Sequence, residues 1–184
     1  MNSKTYLLTP LLILLLLLTG CNRKQIVIGA SFSGNSEWSL QLFKEIEVAG
    51  YQYPNVDIDI RNAYKDMALQ EKQMNELIDK HVDLIIFAPR VYNGCQKVLQ
   101  RAKEAGIPVI LIDRKMKSDD YTAFIGRDDK AVGRMMGEYI ASQHAGKQTY
   151  ILEAAGLSET SPAMERSEGF RQAIARYPNL HIVG

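Results

Sequence analysis

The chain has 184 residues, of which 46% are apolar and 23% are charged. Those fractions belong to an ordinary globular chain and exclude wholesale disorder, a collagen-like repeat and a polytopic membrane protein. With 22 Lys and Arg against 21 Asp and Glu, charge gives no reason to expect a nucleic-acid partner, and two cysteines make neither a disulfide framework nor a zinc site.

Lys4 precedes an apolar stretch from Leu7 to Leu18 that is broken only by Thr9 and Pro10. A membrane-spanning helix needs roughly 20 apolar residues, so this one is too short to span and reads as the core of a signal peptide. It ends in Leu18-Thr19-Gly20-Cys21, which resembles the bacterial lipobox. On that reading residues 1–20 are a lipoprotein signal peptide, Cys21 carries the lipid, and 21–24 are a short linker. The product is then exported and held on the periplasmic side of a bacterial membrane through its lipid. The other reading is an uncleaved anchor with an incidental cysteine. Cys95, the remaining thiol, reads as a small buried apolar residue on a helix.

Beyond the leader, strands and helices alternate. Gln25 to Ala30 is β-rich. Glu37 to Ala49 carries Trp38, Leu42, Ile46 and Ala49 at helical spacing, with Gly50 as a stop. Val56 to Ile60 alternates apolar with acidic residues, the mark of a strand with one wet face. Met67 to Ile78 is helical, Asp83 to Pro89 a buried strand, Gly94 to Ala105 helical, Ile107 to Ile112 a buried strand and Thr122 to Ile125 a short fifth strand. Asp128 caps a helix to about Gln143, Gln148 to Leu152 is a strand, and Ser161-Pro162 opens a helix to about Tyr177 with Ser161 as its cap. Leu180 to Val183 begins one more strand. This order predicts an α/β fold with doubly wound parallel sheets. Ligands bind such sheets at the carboxyl ends of the strands, so the loops there are the place to look.

The first loop, Gly29 to Ser36, is one residue from a phosphate-binding loop, but Asn35 stands where the lysine is required. No nucleotide or other cofactor is expected. His81, His144 and His181 fall outside the loops and read as surface residues, and no metal cluster or catalytic set assembles. Asp119-Asp120 reads as solvated and Asp128 as a helix cap. What the loops do hold is hydrogen-bonding groups: Asn35 and Trp38 after the first strand, Asp113-Arg114 after IPVILI, and Arg166 in the last helix. Carboxylate, guanidinium and amide groups around an aromatic face suit a polyhydroxylated ligand. Each has a plainer reading: a surface ion pair for Asp113-Arg114, a core position for Trp38, a solvated charge for Arg166.

Four segments carry a family resemblance: IVIGASFSGNSEWS, AGIPVILIDRK, FIGRDDKAVGRMMGEYI and SPAMERSEGFRQAI. From Ile26 onward the chain resembles the periplasmic sugar-binding proteins of the ribose-binding type, which share their fold with LacI-type repressor cores. An export signal stands where a repressor has its DNA-binding helices. The resemblance implies a two-lobed fold closed around a small carbohydrate, with 25–126 the N-terminal lobe and 127–184 a partial C-terminal lobe, the first crossing falling near Ile125 to Arg127. It implies that Asn35 and Trp38 bond to and stack on the sugar, that Asp113 and Arg114 grip its hydroxyls, and that Arg166 reaches in from the second lobe. Glu37 and Ala88 depart from the ribose binders' pattern, and Arg90, close after Ala88, points toward a different monosaccharide or an acidic or phosphorylated sugar. The implied partner is an ABC permease; the alternative is the sugar-sensing region of a truncated membrane histidine kinase. The rival class is an exported α/β enzyme using Asp113 or Asp128.

Overall fold

The computed structural model describes residues 24–144 and 146–184. The expected signal peptide and the lipidated Cys21 lie outside the described residues. The chain runs β1 (Ile26–Phe32), α1 (Glu37–Gly50), β2 (Val56–Asn62), α2 (Met67–Asp79), β3 (Leu84–Phe87), α3 (Gln96–Glu104), β4 (Val109–Ile112) and β5 (Ala123–Ile125). It continues with α4 (Asp129–Gln143), β6 (Thr149–Ile151), α5 (Ser161–Ile174) and β7 (Leu180–Ile182). The first five strands form a parallel sheet in the order β2-β1-β3-β4-β5, and β6 pairs in parallel with β7 in a second sheet.

The strand order reverses at β1, with β2 on one side of it and β3 on the other. The connections after β1 and β3 therefore leave the sheet toward opposite faces and part at their carboxyl ends, which opens a crevice there.

The two faces of this sheet are unequally covered. Met74, Leu77 and Ile78 on α2 and Val98, Leu99 and Ala102 on α3 form apolar stripes, and they bury Ile85, Phe87, Val109 and Leu111 of β3 and β4. On the other face no residue of α1 is buried. The expected stripe on that helix is only half realised: Leu42 and Ile46 are partly covered, whereas Trp38 and Ala49 are exposed. Phe43 of this helix packs against Phe32, with ring centroids 4.6 Å apart.

Helix starts follow the caps. Ser36, Asp66 and Asp128 accept from the backbone N–H of Ser39, Leu69 and Ala131 at 3.2, 3.0 and 2.9 Å. The cap of α5 differs from expectation. Thr160 holds the cap position, Ser161 is the first helical residue, and the Ser161 hydroxyl instead accepts from the backbone N–H of Lys115 at 2.7 Å. A tertiary bond has taken the side chain that a local cap would use. Cys95 also differs. It lies before α3, not on a helix, in a left-handed conformation (φ 58°), and its half-buried thiol is pushed up to about 11 by desolvation, with Glu71 adding to the effect. Asp120 is not simply solvated, since it accepts from Lys103 at 2.7 Å.

α4 and α5 meet backbone to backbone. A Cβ at Gly133 would stand 1.9 Å from the carbonyl oxygen of Arg166, and one at Gly169 would stand 2.0 Å from that of Lys130. Only glycine permits this approach. A small core of Ala141, Phe170, Ile174 and Leu180 closes beside it.

Candidate functional site: a polar cleft at the strand ends

Asp113 and Arg114 follow the last residue of β4 directly. Asp113 has φ 63°, and the N–H of Arg114 donates to the carbonyl of Ile112 at 2.7 Å, a γ-turn of the rare, strained hand. Aspartate tolerates this conformation better than most side chains. The Asp113 N–H donates to Ile125 on β5 at 3.0 Å, so the turn is tied to the neighbouring strand.

The cleft beside this turn has a volume of about 320 Å³. Trp38, Asp113 and Arg114 line it from the five-stranded-sheet unit, Arg127 from the link between β5 and α4, and Ala155 to Leu157, Thr160, Pro162, Ala163 and Arg166 from the segment before α5 and its first turns. A narrower crevice shares Trp38, Asp113 and Arg114 and runs on between Phe32, Ser33, Ala88 and Pro89, at the place where the strand order reverses. Trp38 is 57% exposed, which excludes a core role and leaves an indole face at the cleft.

Charge inside the cleft is shared among several groups. Asp113 lies 3.5 Å from Arg114 and 3.9 Å from Arg127, and all three line the cleft. Asp113 and Arg114 are half-buried, so their pairing is not a surface one. Burial pushes the Arg114 guanidinium below its ordinary range, with nearby Arg90 adding to the effect and Asp113 opposing it. On the other wall Arg166 Nε donates to the Pro162 carbonyl at 2.9 Å and lies 3.4 Å from the carboxylate of Asp129.

Of the six residues expected to bind ligand, four converge on this cleft: Trp38, Asp113, Arg114 and Arg166. Asn35 is exposed in the loop before α1 and lines neither cavity. Arg90 contributes through its backbone: its carbonyl accepts from Arg114 Nη1 at 2.9 Å. Sequence reasoning passed over three supporting residues. Gln70, fully buried on α2, donates to the Ala88 carbonyl at 2.9 Å and accepts from the Arg90 N–H at 3.0 Å, which fixes the loop that holds Arg114. Its signal was a polar residue one turn before Met74 on an apolar stripe. Arg127 and Asp129 were signalled only by a charge cluster between β5 and α4.

The two sides of the cleft also touch directly. Lys115 Nζ pairs with Glu165 at 2.8 Å and the Tyr92 N–H donates to the Glu159 carbonyl at 2.7 Å. Among the described residues no cluster of His, Cys, Asp or Glu has the geometry to hold a metal ion, and no helix is long and apolar enough to cross a membrane.

Comparison with known proteins adds the family. Residues 26–184 match the model of the periplasmic binding protein domain. The chain is 30% identical over 131 residues to the galactofuranose-binding protein of Escherichia coli and 31% identical over 134 residues to the ribose import binding protein of Salmonella typhimurium. These matches cover 70% and 73% of this chain but 41% and 43% of the relatives, so the chain spans less than half of their length. Among solved structures, the fructose-binding periplasmic domain of a hybrid two-component system superposes with a TM-score of 0.80 at 37% identity, covering 86% of this chain and 52% of that one. A solute-binding protein of an ABC transporter from Bacillus halodurans, solved with bound myo-inositol, superposes with a TM-score of 0.80 at 25% identity, covering 89% and 57%. The parallel α/β sheets, the cleft at their strand ends and these likenesses agree, and the chain belongs to the periplasmic binding protein domain family, beside its sugar-binding members.

Proposed function

We propose that this chain belongs to an exported solute-binding protein that holds a small carbohydrate between an N-terminal lobe, 25–126, and a C-terminal lobe of which 127–184 is a part, and leaves it chemically unchanged. The observation that carries this reading is the convergence of Trp38, Asp113, Arg114 and Arg166 on one cleft at the carboxyl ends of the strands. An aspartate and arginines match the paired acceptors and forked donors that vicinal hydroxyls need, and an indole covers the C–H face of a sugar ring. The relatives support a monosaccharide: their names and structures specify galactofuranose, ribose, fructose and arabinofuranose. In this reading Cys21 carries the lipid, the protein stands on the periplasmic side of the membrane, and an ABC permease takes up the ligand. Asn35 and the Arg90 side chain come into contact with the sugar only as the lobes close.

A second output has its own support. A 37%-identical structure is the periplasmic domain of a hybrid two-component system, so the same cleft also fits the sensing region of a signalling protein. Titration calorimetry against D-fructose, D-ribose, L-arabinose and D-galactose tests the binding reading. Saturable binding of one of them, lost in Asp113→Ala and Trp38→Ala, is the expected result. Absence of binding across the panel, or turnover of any sugar, overturns it. Radiolabelled palmitate incorporation that disappears in Cys21→Ser tests the anchor.

A further inference from the structure

Asp129 sits in the first turn of α4 and is 3% exposed. Among the described residues its Oδ1 has no hydrogen-bond partner. Two guanidinium groups approach that atom without bonding to it: Arg166 Nε at 3.4 Å and Arg127 Nη2 at 3.8 Å. A buried carboxylate is tolerated only when its charge is matched, and these two arginines supply the matching charge. Arg127 precedes α4 and Arg166 belongs to α5, so one carboxylate ties two separate segments together at the back of the cleft. Its neighbour Asp128 does not share the role, because its side chain caps α4.

The charge count shows what the carboxylate does for the ligand. Arg114, Arg127 and Arg166 line the cleft with Asp113. With Asp129 behind them, three cations face two carboxylates; without it they face one. Among the described residues Arg127 donates no hydrogen bond and its side chain is 65% exposed, so only the two carboxylates restrain it. We propose that Asp129 is a positioning residue of the cleft: it fixes Arg127 and Arg166 and cancels one of their charges, which holds ligand preference toward uncharged sugars. The proposal rests on the reading of the cleft as a sugar site.

The test is Asp129→Asn, which keeps shape and removes charge, made in the full chain. Calorimetry gives the ratio of affinities for neutral sugars (D-fructose, D-ribose) and sugar acids (D-gluconate, D-galacturonate). Removing one negative charge 3.4 Å from the cleft-lining Arg166 shifts this ratio toward the acids by about tenfold at low salt, and by less at high salt. A purely structural role for Asp129 would weaken both classes together and leave the ratio alone. Arg127→Ala removes a cation from an exposed position and moves the ratio the opposite way, so the proposal stays testable where Asp129→Asn does not fold. An unchanged ratio in the variants that fold overturns the proposal. The arginine Nε–H resonances provide a readout that needs no ligand. Asp129→Asn should move those of Arg127 and Arg166 and leave that of Arg61, on β2, in place. If no sugar binds even the unaltered chain, the carbohydrate reading fails and this spectrum alone decides the role of Asp129: unmoved resonances overturn it, moved ones support it.

Discussion

The two walls of the cleft are built by different means. Asp113 and Arg114 stand at the end of β4, on a continuous apolar core that runs from Met74 to Met116. Arg166 stands on α5, whose core with α4 and β7 is four buried residues and which meets α4 backbone on backbone at Gly133 and Gly169. Apolar packing loses stability in proportion to what is removed, whereas a backbone contact has no slack for anything added. The first wall should therefore yield gradually to substitution and the second abruptly. The second wall also depends on charge where the first depends on area.

The largest effect is expected from Gly133→Val. Its Cβ alone would stand 1.9 Å from the Arg166 carbonyl, so the helices must part and Arg166 must leave Asp129. A loss of about 4 kcal/mol is expected, together with loss of sugar binding, read by thermal circular dichroism and calorimetry. The counterpart in the first wall is Leu77→Ala, at a position with no exposure. It should cost about 3 kcal/mol and leave sugar affinity intact at temperatures well below melting. Equal losses of affinity in the two variants would break the comparison.

Gln70→Ala probes the link between the first wall's core and its site. It leaves the Ala88 carbonyl and the Arg90 N–H without partners at a buried position. About 2 kcal/mol of stability should go. Because the Arg90 carbonyl holds Arg114, sugar affinity should fall about tenfold as well. Retained affinity would show that Arg114 does not depend on the loop.

Much of this was legible in the sequence, for identifiable reasons. The apolar runs of β3 and β4 announce buried parallel strands, and Asp113-Arg114 falls at a strand end, where the topology places ligands. Asp128 announces its helix because a cap acts within three residues. What was not legible depends on which faces meet. Asp129 and Arg166 are far apart in sequence, and only the Gly133 and Gly169 contact sets one against the other. The cap of α5 was not legible because Lys115, in the loop after β4, takes the Ser161 hydroxyl. How little of the α1 stripe is covered was not legible either, because periodicity reports an amphipathic face and not what covers it.

The strained turn at Asp113 gives a smaller, two-sided effect. Asp113→Ala and Asp113→Gly both remove the carboxylate and should both abolish sugar binding. They should differ in stability, because alanine is strained at φ 63° and glycine is not. Asp113→Ala should melt lower, by about 1 kcal/mol at most after glycine's extra unfolded-state freedom is counted. Equal melting would mean that the turn relaxes when its side chain is cut back.

The smallest effect concerns acid and bears on the first wall alone. Asp59, on β2 at the edge of the five-stranded sheet, accepts from Arg61 at 2.9 Å and from Lys80 at 2.8 Å. The Arg61 bonds, reinforced by Lys80, lower its carboxyl from 3.8 to about 2. Because the folded state holds the charged form more tightly than the unfolded state does, the stabilisation is complete above about pH 4 and is lost as pH falls through about 2. A quarter of the side chain is open to solvent, which reduces the contribution to about 1 kcal/mol. Asp59→Asn should remove that amount at pH 7 and flatten the stability profile between about pH 4 and 2, as measured by urea unfolding across that range. Sugar affinity should not change, since Asp59 lines neither cavity of the site. A change in affinity would mean that the edge of the sheet is coupled to the cleft, and the first wall would then be less tolerant than its core implies.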